Sequence, residues 1–333
     1  MSKYTRWLTR LIGPGILAYF LLTTDVNKVA ANLRDLDWLP VLLSLAMYPG
    51  LIAVKAWRWN LLMRSLGMRA PSLGYSMILY MIGQFAGGAT PGQSGDFIKA
   101  WYLRERGRPL ASALFSILLD RLFDFLVMAL LSLLGLIAFL HLFSRQLEAP
   151  ILVTTVGFAA AMALAIPALM SRRPRDWLMT RAQRLAPRRV HDRLERWRGQ
   201  FAALDMRPAL MGSLLLTSLG AAMWAMARLW LLFRAMDVAI PLTVLVCSVA
   251  LVSIIQTLPI SFSGIGVRDA VLIAVLANYG YGRDTGLALS ALFLLITLEH
   301  VLIGFLVSLR HPLGRPAPAE PPARVVRGEK LAS

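Results

Sequence analysis

The sequence predicts an all-α fold that crosses a membrane several times, and three observations carry that expectation. Hydrophobic residues fill 57% of the 333 positions, and mean hydropathy is +0.62, more apolar surface than a soluble core of this length buries. The apolar residues gather into long runs separated by polar ones, giving about seven to nine helical segments at the length a bilayer requires. The 35 Lys and Arg residues cluster between those runs instead of being spread evenly.

In chain order the apolar runs are 11–24, 38–57, 73–90, 110–143, 150–170, 209–233, 241–258, 265–280 and 286–309. Lys3, Arg6 and Arg10 precede the first. No small-x-small cleavage pattern follows before Asn32 and Asp35, so it reads as a retained signal anchor. The run 110–143 would make a helix of about 51 Å against a hydrocarbon core of about 30 Å, so its first third is expected at the cytoplasmic interface. Residues 1–310 form one transmembrane domain on this division. The tail 311–333, with Pro312, Pro316, Pro318, Pro321 and Pro322, is expected to be disordered.

Basic residues run before position 11, from Lys55 to Arg69, from Lys99 to Arg108, from Arg172 to Arg207 and from Arg310 onward. The positive-inside rule puts all five stretches, and both termini, in the cytoplasm. Residues 172–207 also carry Trp177, Leu178, Leu185, Leu194, Trp197 and Phe201 at partly helical spacing, which reads as an amphipathic segment on the anionic inner leaflet. A loop between two membrane segments is not a folded nucleic-acid reader, so no nucleic-acid partner is expected.

Two runs are interrupted. Thr90 to Lys99 reads Thr-Pro-Gly-Gln-Ser-Gly-Asp-Phe-Ile-Lys, and Pro259 to Asp269 is a related breaker cluster. Both prolines precede a Ser/Gly pair and then an acid, with Gln84 and Gln256 upstream. Backbone that stops being helical at membrane depth must be satisfied by protein or water, and paired interruptions are a mark of carriers built as inverted repeats. Because the segments flanking 73–98 are both basic, that stretch is expected to enter and return as a re-entrant hairpin turning at Pro91 and Gly92. The stretch 241–280 is either an opposed hairpin or two full spans, which charge alone does not decide.

The candidate site residues follow from these breaks. Ser94, Gly95 and Asp96, and likewise Ser263, Gly264 and Gly266, start half-helices whose exposed N–H groups suit an anion such as a lipid phosphate; the plainer role for these residues is to kink and cap packed helices. Asp96, Lys99, Asp120, Arg121 and Asp124 form a charged cluster, with Arg121 within pairing reach of Asp124. It is either a structural ion network or the lining of a cavity beneath the first hairpin. A charge at the bilayer centre costs about 2.5 to 3.5 kcal/mol on insertion scales, so such residues need partners or water. Arg121 is the best candidate for a head-group phosphate, because a guanidinium fork fits it. Arg268 and Asp269 either mirror Lys99 and Asp96 or pair with each other. Glu299 falls near a helix midpoint, where an acid either couples to protons or makes a neutral hydrogen bond. Arg228, near a helix end, is expected to snorkel.

Other chemistries find little support. Cys247 alone makes no disulfide framework, and His141, His191, His300 and His311 lack metal-ligand spacing, so neither metal nor cofactor is expected. Gly264-x-Gly266 lacks the strand and third glycine of a nucleotide fingerprint.

Ala56-Trp57-Arg58-Trp59 with Leu61-Leu62, then Pro91-Gly92 with Gly95-Asp96 and Lys99, then Asp120-Arg121-Leu122 with Asp124, and finally Ser263-Gly264-Ile265-Gly266-Val267-Arg268-Asp269 together resemble the lysylphosphatidylglycerol synthase transmembrane-region family of flippase-like membrane proteins. The resemblance covers about residues 3–310. It implies a multi-pass protein of the bacterial inner membrane that moves a lipid between leaflets. Asp96 stands where the family often has Glu, Lys99 for Arg and Asp120 for Glu, so the charges are kept. The family's soluble aminoacyltransferase domain is not expected after residue 310, and lysyl transfer with it. The expected function is translocation of a phospholipid, hopanoid-type lipid or lipid-linked glycan, with membrane lipids, and lipid-modifying or glycosyltransferase enzymes, as partners. The alternative is a membrane glycosyltransferase or its accessory subunit, using Asp120 and Asp124 on a polyprenyl phosphate.

Overall fold

The computed structural model describes residues 33–88, 90–139, 208–246, 248 and 267–313, with isolated positions between 152 and 181. Every regular element among them is helical: α1 Trp38–Ala46, α2 Tyr48–Ser65, α3 Leu73–Gly88, a 3₁₀ segment Pro91–Ile98, α4 Lys99–Glu105, α5 Leu110–Phe139, α6 Pro208–Ala235, α7 Val267–Ala277 and α8 Arg283–Arg310. Among the described residues, three helical stretches are long and apolar enough to cross a membrane: Trp38–Ser65, Ala209–Ala235 and Arg283–Arg310. The chain is thus an all-α membrane protein, as its sequence predicts. The first apolar run, the basic segment 182–207, the second breaker at 259–266 and the tail from 314 lie outside the described residues.

Local chemistry sets the boundaries. The Asp37 carboxylate caps α1 by accepting from Leu39 N at 3.0 Å. Pro49 sits in the first turn of α2, where its missing N–H leaves no bond unmade, so α1 runs into α2 with an offset at Met47. Helix α2 ends with Gly67 N donating to Arg64 O and Met68 N to Met63 O, the paired bonds of a left-handed cap. Gly67 (φ +69°) supplies the conformation that an L side chain disfavours.

The buried apolar residues form two clusters. One joins α2, α3, α4 and α5 around Trp59, Leu62, Leu79, Leu103 and Phe115. The other joins α1, the later turns of α6, α7 and α8 around Val41, Leu232, Leu272, Leu289 and Phe293. Helix α8 crosses from the second to the first by lying against α3. A Cβ at Gly304 would stand 2.2 Å from Met81 O, and the Phe85 and Phe305 rings meet at 5.4 Å between centroids. The outward faces carry Leu42, Leu43, Leu216, Met223, Leu302 and Leu306, the surface a lipid-facing helix needs.

After α3 the chain doubles back along it. Gly95 approaches so closely that a Cβ there would lie 2.0 Å from Ala86 O, and one on Gly83 would lie 2.2 Å from Asp96 Oδ1. Further on, the Lys99 ammonium sits over the Tyr80 ring and the Arg106 guanidinium over Tyr75. Residues 95 to 106 therefore run antiparallel to residues 87 to 75, with the reversal at the Pro91-Gly92 break.

Candidate functional site

Helix α2 carries the basic residues that organise the first cluster, Lys55 and Arg58, one turn apart. Arg58 is fully buried. Its Nε donates to Asp120 Oδ1 at 2.9 Å, its Nη1 to Asp124 Oδ1 at 2.6 Å and to Ser218 Oγ at 2.8 Å, and its Nη2 to Asp120 O. One guanidinium thus ties α2 to α5 and α6, a use that only a rigid fork of five donors allows. Lys55 Nζ reaches the other oxygen of Asp124 at 3.0 Å, and the Tyr80 hydroxyl donates to Asp120 Oδ2.

The doubled-back segment adds the rest. Asp96 Oδ2 is 2.8 Å from Lys99 Nζ and 3.0 Å from Arg121 Nε. Lys99, fully buried, lies over the faces of Trp59 at 4.9 Å and Tyr80 at 4.0 Å, rings that themselves meet edge to face. Those faces offer the negative side of a quadrupole to the ammonium. Asp96, Lys99, Asp120, Arg121 and Asp124 come together as the sequence suggests, though Asp124 is held by Arg58 and Lys55 while Arg121 reaches Asp96. The glycines explain how: without a Cβ at Gly83, Asp96 and Lys99 settle directly on α3.

Among the described residues, four cations, Lys55, Arg58, Lys99 and Arg121, meet three acids, Asp96, Asp120 and Asp124. Burial is graded across them. Arg58, Lys99, Asp96 and Asp120 are inside, whereas the side chains of Lys55, Asp124 and Arg121 keep 21%, 21% and 22% exposure. The open edge of the network carries two cations and one acid.

A second polar cluster lies where α1, α2, α6 and α8 meet. Arg228 is 2% exposed, so it does not snorkel; it points inward. Its Nε donates to Ser44 O at 2.7 Å, while Ser44 Oγ donates back to Arg228 O at 2.9 Å. Arg228 Nη2 pairs with Glu299, and Nη1 lies 3.0 Å from His300 Nε2. A guanidinium has donors only, so Nε2 must accept and His300 is neutral, protonated on Nδ1. The His300 ring stacks on Tyr48 at 4.5 Å.

Among the remaining sequence candidates, Ser94 is exposed and the Gly95 N–H donates to Thr90 Oγ1 at 2.6 Å, so that N–H is already engaged. Pro91 and Gly92 open that segment. Arg268 and Asp269 are in the first turn of α7, with side chains outside the described set, as are Ser263, Gly264 and Gly266. Sequence reasoning missed Lys55, Arg58, Tyr80, Trp59 and His300 as site residues. It read Lys55 and Arg58 as cytoplasmic flank, whereas both lie within α2. The available signal was helical phase: Lys55 and Arg58 share a face with Ile52, Trp59 and Leu62 that is otherwise buried.

Residues 7–304 match the model of the family described as the lysylphosphatidylglycerol synthase TM region. Two similar proteins from Methanothermobacter thermautotrophicus are both described as UPF0104 membrane proteins. One is 28% identical over 277 residues, covering 76% of this chain and 78% of the relative. The other is 24% identical over 306 residues, covering 86% and 89%.

Proposed function

The chain belongs to the lysylphosphatidylglycerol synthase transmembrane-region family, and from that premise we propose that it moves a phosphate-bearing lipid between leaflets, receiving the head group at the Lys55–Arg121 edge of the first cluster. The observation that supports this most is the pair of basic side chains, Lys55 and Arg121, that stay partly exposed at the open edge of the network. Two cations beside one partly exposed acid favour an anion there. Arg121 offers the planar fork suited to phosphate oxygens and Lys55 a mobile point charge. Asp96 and Asp124 hold both in place while empty and can exchange them for the phosphate on binding. The doubled-back segment 91–105 is read as a re-entrant hairpin that sets this edge at membrane depth, in the inner membrane of a bacterium with both termini cytoplasmic.

The glycosyltransferase alternative gains less support. Asp120 and Asp124 each have both oxygens engaged, by Arg58 and Tyr80 and by Arg58 and Lys55. A carboxylate serving a metal or a substrate proton would have to give up or share these bonds, and Asp120 is buried as well.

The test is leaflet redistribution of fluorescent phosphatidylglycerol and polyprenyl phosphate in proteoliposomes. Wild type should equilibrate at least one probe with no second substrate present, and Arg121→Ala should slow it. A folded wild type that consumes a sugar donor and moves no probe would overturn the translocase in favour of the enzyme.

A further inference from the structure

The second cluster is a charge switch as it stands. Arg228 has one anionic partner, Glu299, and two neutral acceptors, Ser44 O and His300 Nε2, so the trio carries no net charge. Adding one proton to the Glu299 carboxylate removes the negative charge that faces Arg228 among the described residues and leaves the trio at +1. The Arg228 guanidinium would not be dislodged, because Ser44 O and His300 Nε2 still accept from it. The groups facing Glu299 among the described residues are Arg228 from α6, Tyr48 from α2 and its neighbour His300, with Lys55 acting on His300 from two turns along α2. Of these, His300 could take the proton only by giving up the bond that its Nε2 accepts from Arg228.

Two further observations make the cluster a place for a ligand. The Tyr48 hydroxyl is buried without a hydrogen-bond partner among the described residues, although its ring stacks on His300 and stands 5.5 Å from the Arg228 guanidinium. A buried donor left unmet is costly, and a phosphate oxygen arriving at Arg228 would meet it. The two clusters are also connected. Tyr48 and Lys55 are two turns apart on one face of α2, about 10.5 Å along its axis. Gly88, the last residue of α3 before the break, sits against Val301, next to His300, where a Cβ would lie 3.1 Å from Val301 Cγ2. The interrupted segment thus begins against α8, one residue along from His300, and ends, at Asp96 and Lys99, in the first cluster.

We propose that Glu299 is the coupling proton site and Arg228 a second phosphate station, so that a lipid phosphate passes from the Lys55–Arg121 edge to Arg228 when Glu299 binds a proton from water. This rests on the translocase reading above and adds the energy source to it. The step balances simply: one proton adds to the Glu299 carboxylate, its ion pair with Arg228 opens, and the guanidinium takes the phosphate instead. A monoanionic lipid moving with one proton carries no net charge, which gives two quantitative consequences. A gradient of one pH unit should drive an outer-to-inner lipid ratio of about tenfold, and an imposed membrane potential should have no effect on that ratio.

The experiment uses the full chain in vesicles of phosphatidylcholine with a minor fraction of fluorescent phosphatidylglycerol, under imposed pH or potassium-diffusion gradients. Wild type should concentrate the probe about tenfold per pH unit and ignore the potential. Glu299→Gln, which keeps the shape and the hydrogen bond, should bring the pH-driven ratio to unity. Because that substitution also weakens the tie between α6 and α8, a second readout uses wild type alone: an entrapped pH dye should report protons moving with the probe when only a lipid gradient is imposed. Probe movement that stays at a ratio of one, with no dye signal, overturns the coupling and leaves the translocase standing. A wild type that moves no probe overturns both.

Discussion

The two buried polar clusters use the same residue types to different ends. In the first, three acids share four cations, and Arg58, Asp96 and Asp124 each meet two opposite charges. In the second, one arginine and one glutamate hold each other and everything else is neutral. Those three bridging groups make the first cluster a structural hub across α2, α3, α5 and α6, while the charge balance of the second, among the described residues, hangs on one carboxylate. Within one fold, then, the number of partners per charge separates a group that fixes helices from a group that can switch.

The sharpest way to break that contrast is at Arg58, the one member of the first cluster that no neighbour can replace. Arg58→Ala strands Asp120 and Asp124 against Lys55 and Tyr80 alone. Removing one partner of a buried network costs about 3–5 kcal/mol, so the variant should lose most of its folded fraction in detergent, read as the melting midpoint on size-exclusion chromatography. Arg58→Lys should recover little, since an ammonium cannot span Asp120, Asp124 and Ser218 together. A variant that melts like wild type would mean the first cluster is no hub.

Next comes the packing that brings the clusters into register. Gly304→Ala puts a methyl 2.2 Å from Met81 O, backbone that cannot swing aside, and overpacking of this kind costs about 1–3 kcal/mol. Helix α8 carries Glu299, so this variant should lower both stability and pH-driven accumulation of lipid. Gly212→Ala, which meets nothing within 4 Å, is the control and should be neutral in both assays.

Much of the first cluster was legible because it combines rare residues with a broken helix. Asp96, Lys99, Asp120, Arg121 and Asp124 stand out as charges in apolar runs, and Pro91-Gly92 marks the reversal. Lys55 and Arg58 were not legible by the same rule, because a basic residue near a segment boundary has the composition of a cytoplasmic flank. The helical stretch in fact runs on to Ser65, so both cations lie within it. Arg228 misled for the same reason, since distance from a helix end says nothing about which way the side chain turns. Only tertiary neighbours, Ser44 and Glu299, 184 and 71 residues away in sequence, decide that. The glycine contacts were equally hidden, as Gly83, Gly95 and Gly304 are silent until their partners are known.

At the open edge the contrast is one of function more than stability. Arg121→Ala leaves Asp96 with Lys99 and so spares the network, but it removes the fork offered to phosphate. A hydrogen bond to a charged group contributes about 1.5–3 kcal/mol, which corresponds to roughly ten- to a hundred-fold weaker head-group binding, measured as the probe concentration at half-maximal transport. Equal loss from Ser94→Ala, at an exposed position of the same hairpin, would place the binding edge elsewhere.

The smallest effect separates the two clusters through their tyrosines. Tyr80 and Tyr48 are both buried, both beside a charged set and both on helices that line it. Tyr80→Phe removes a donor from Asp120, leaving a buried carboxylate oxygen unmet, and should cost about 1–3 kcal/mol. Tyr48→Phe removes a hydroxyl that has no partner among the described residues, so its stability should stay within about 0.5 kcal/mol of wild type. If Tyr48 serves a phosphate at Arg228, the same substitution should still slow transport, because a donor idle in the empty state is used only when the ligand arrives. Lost transport with unchanged melting would be the signature of a group kept for binding, and unchanged transport would reduce Tyr48 to a ring that positions His300.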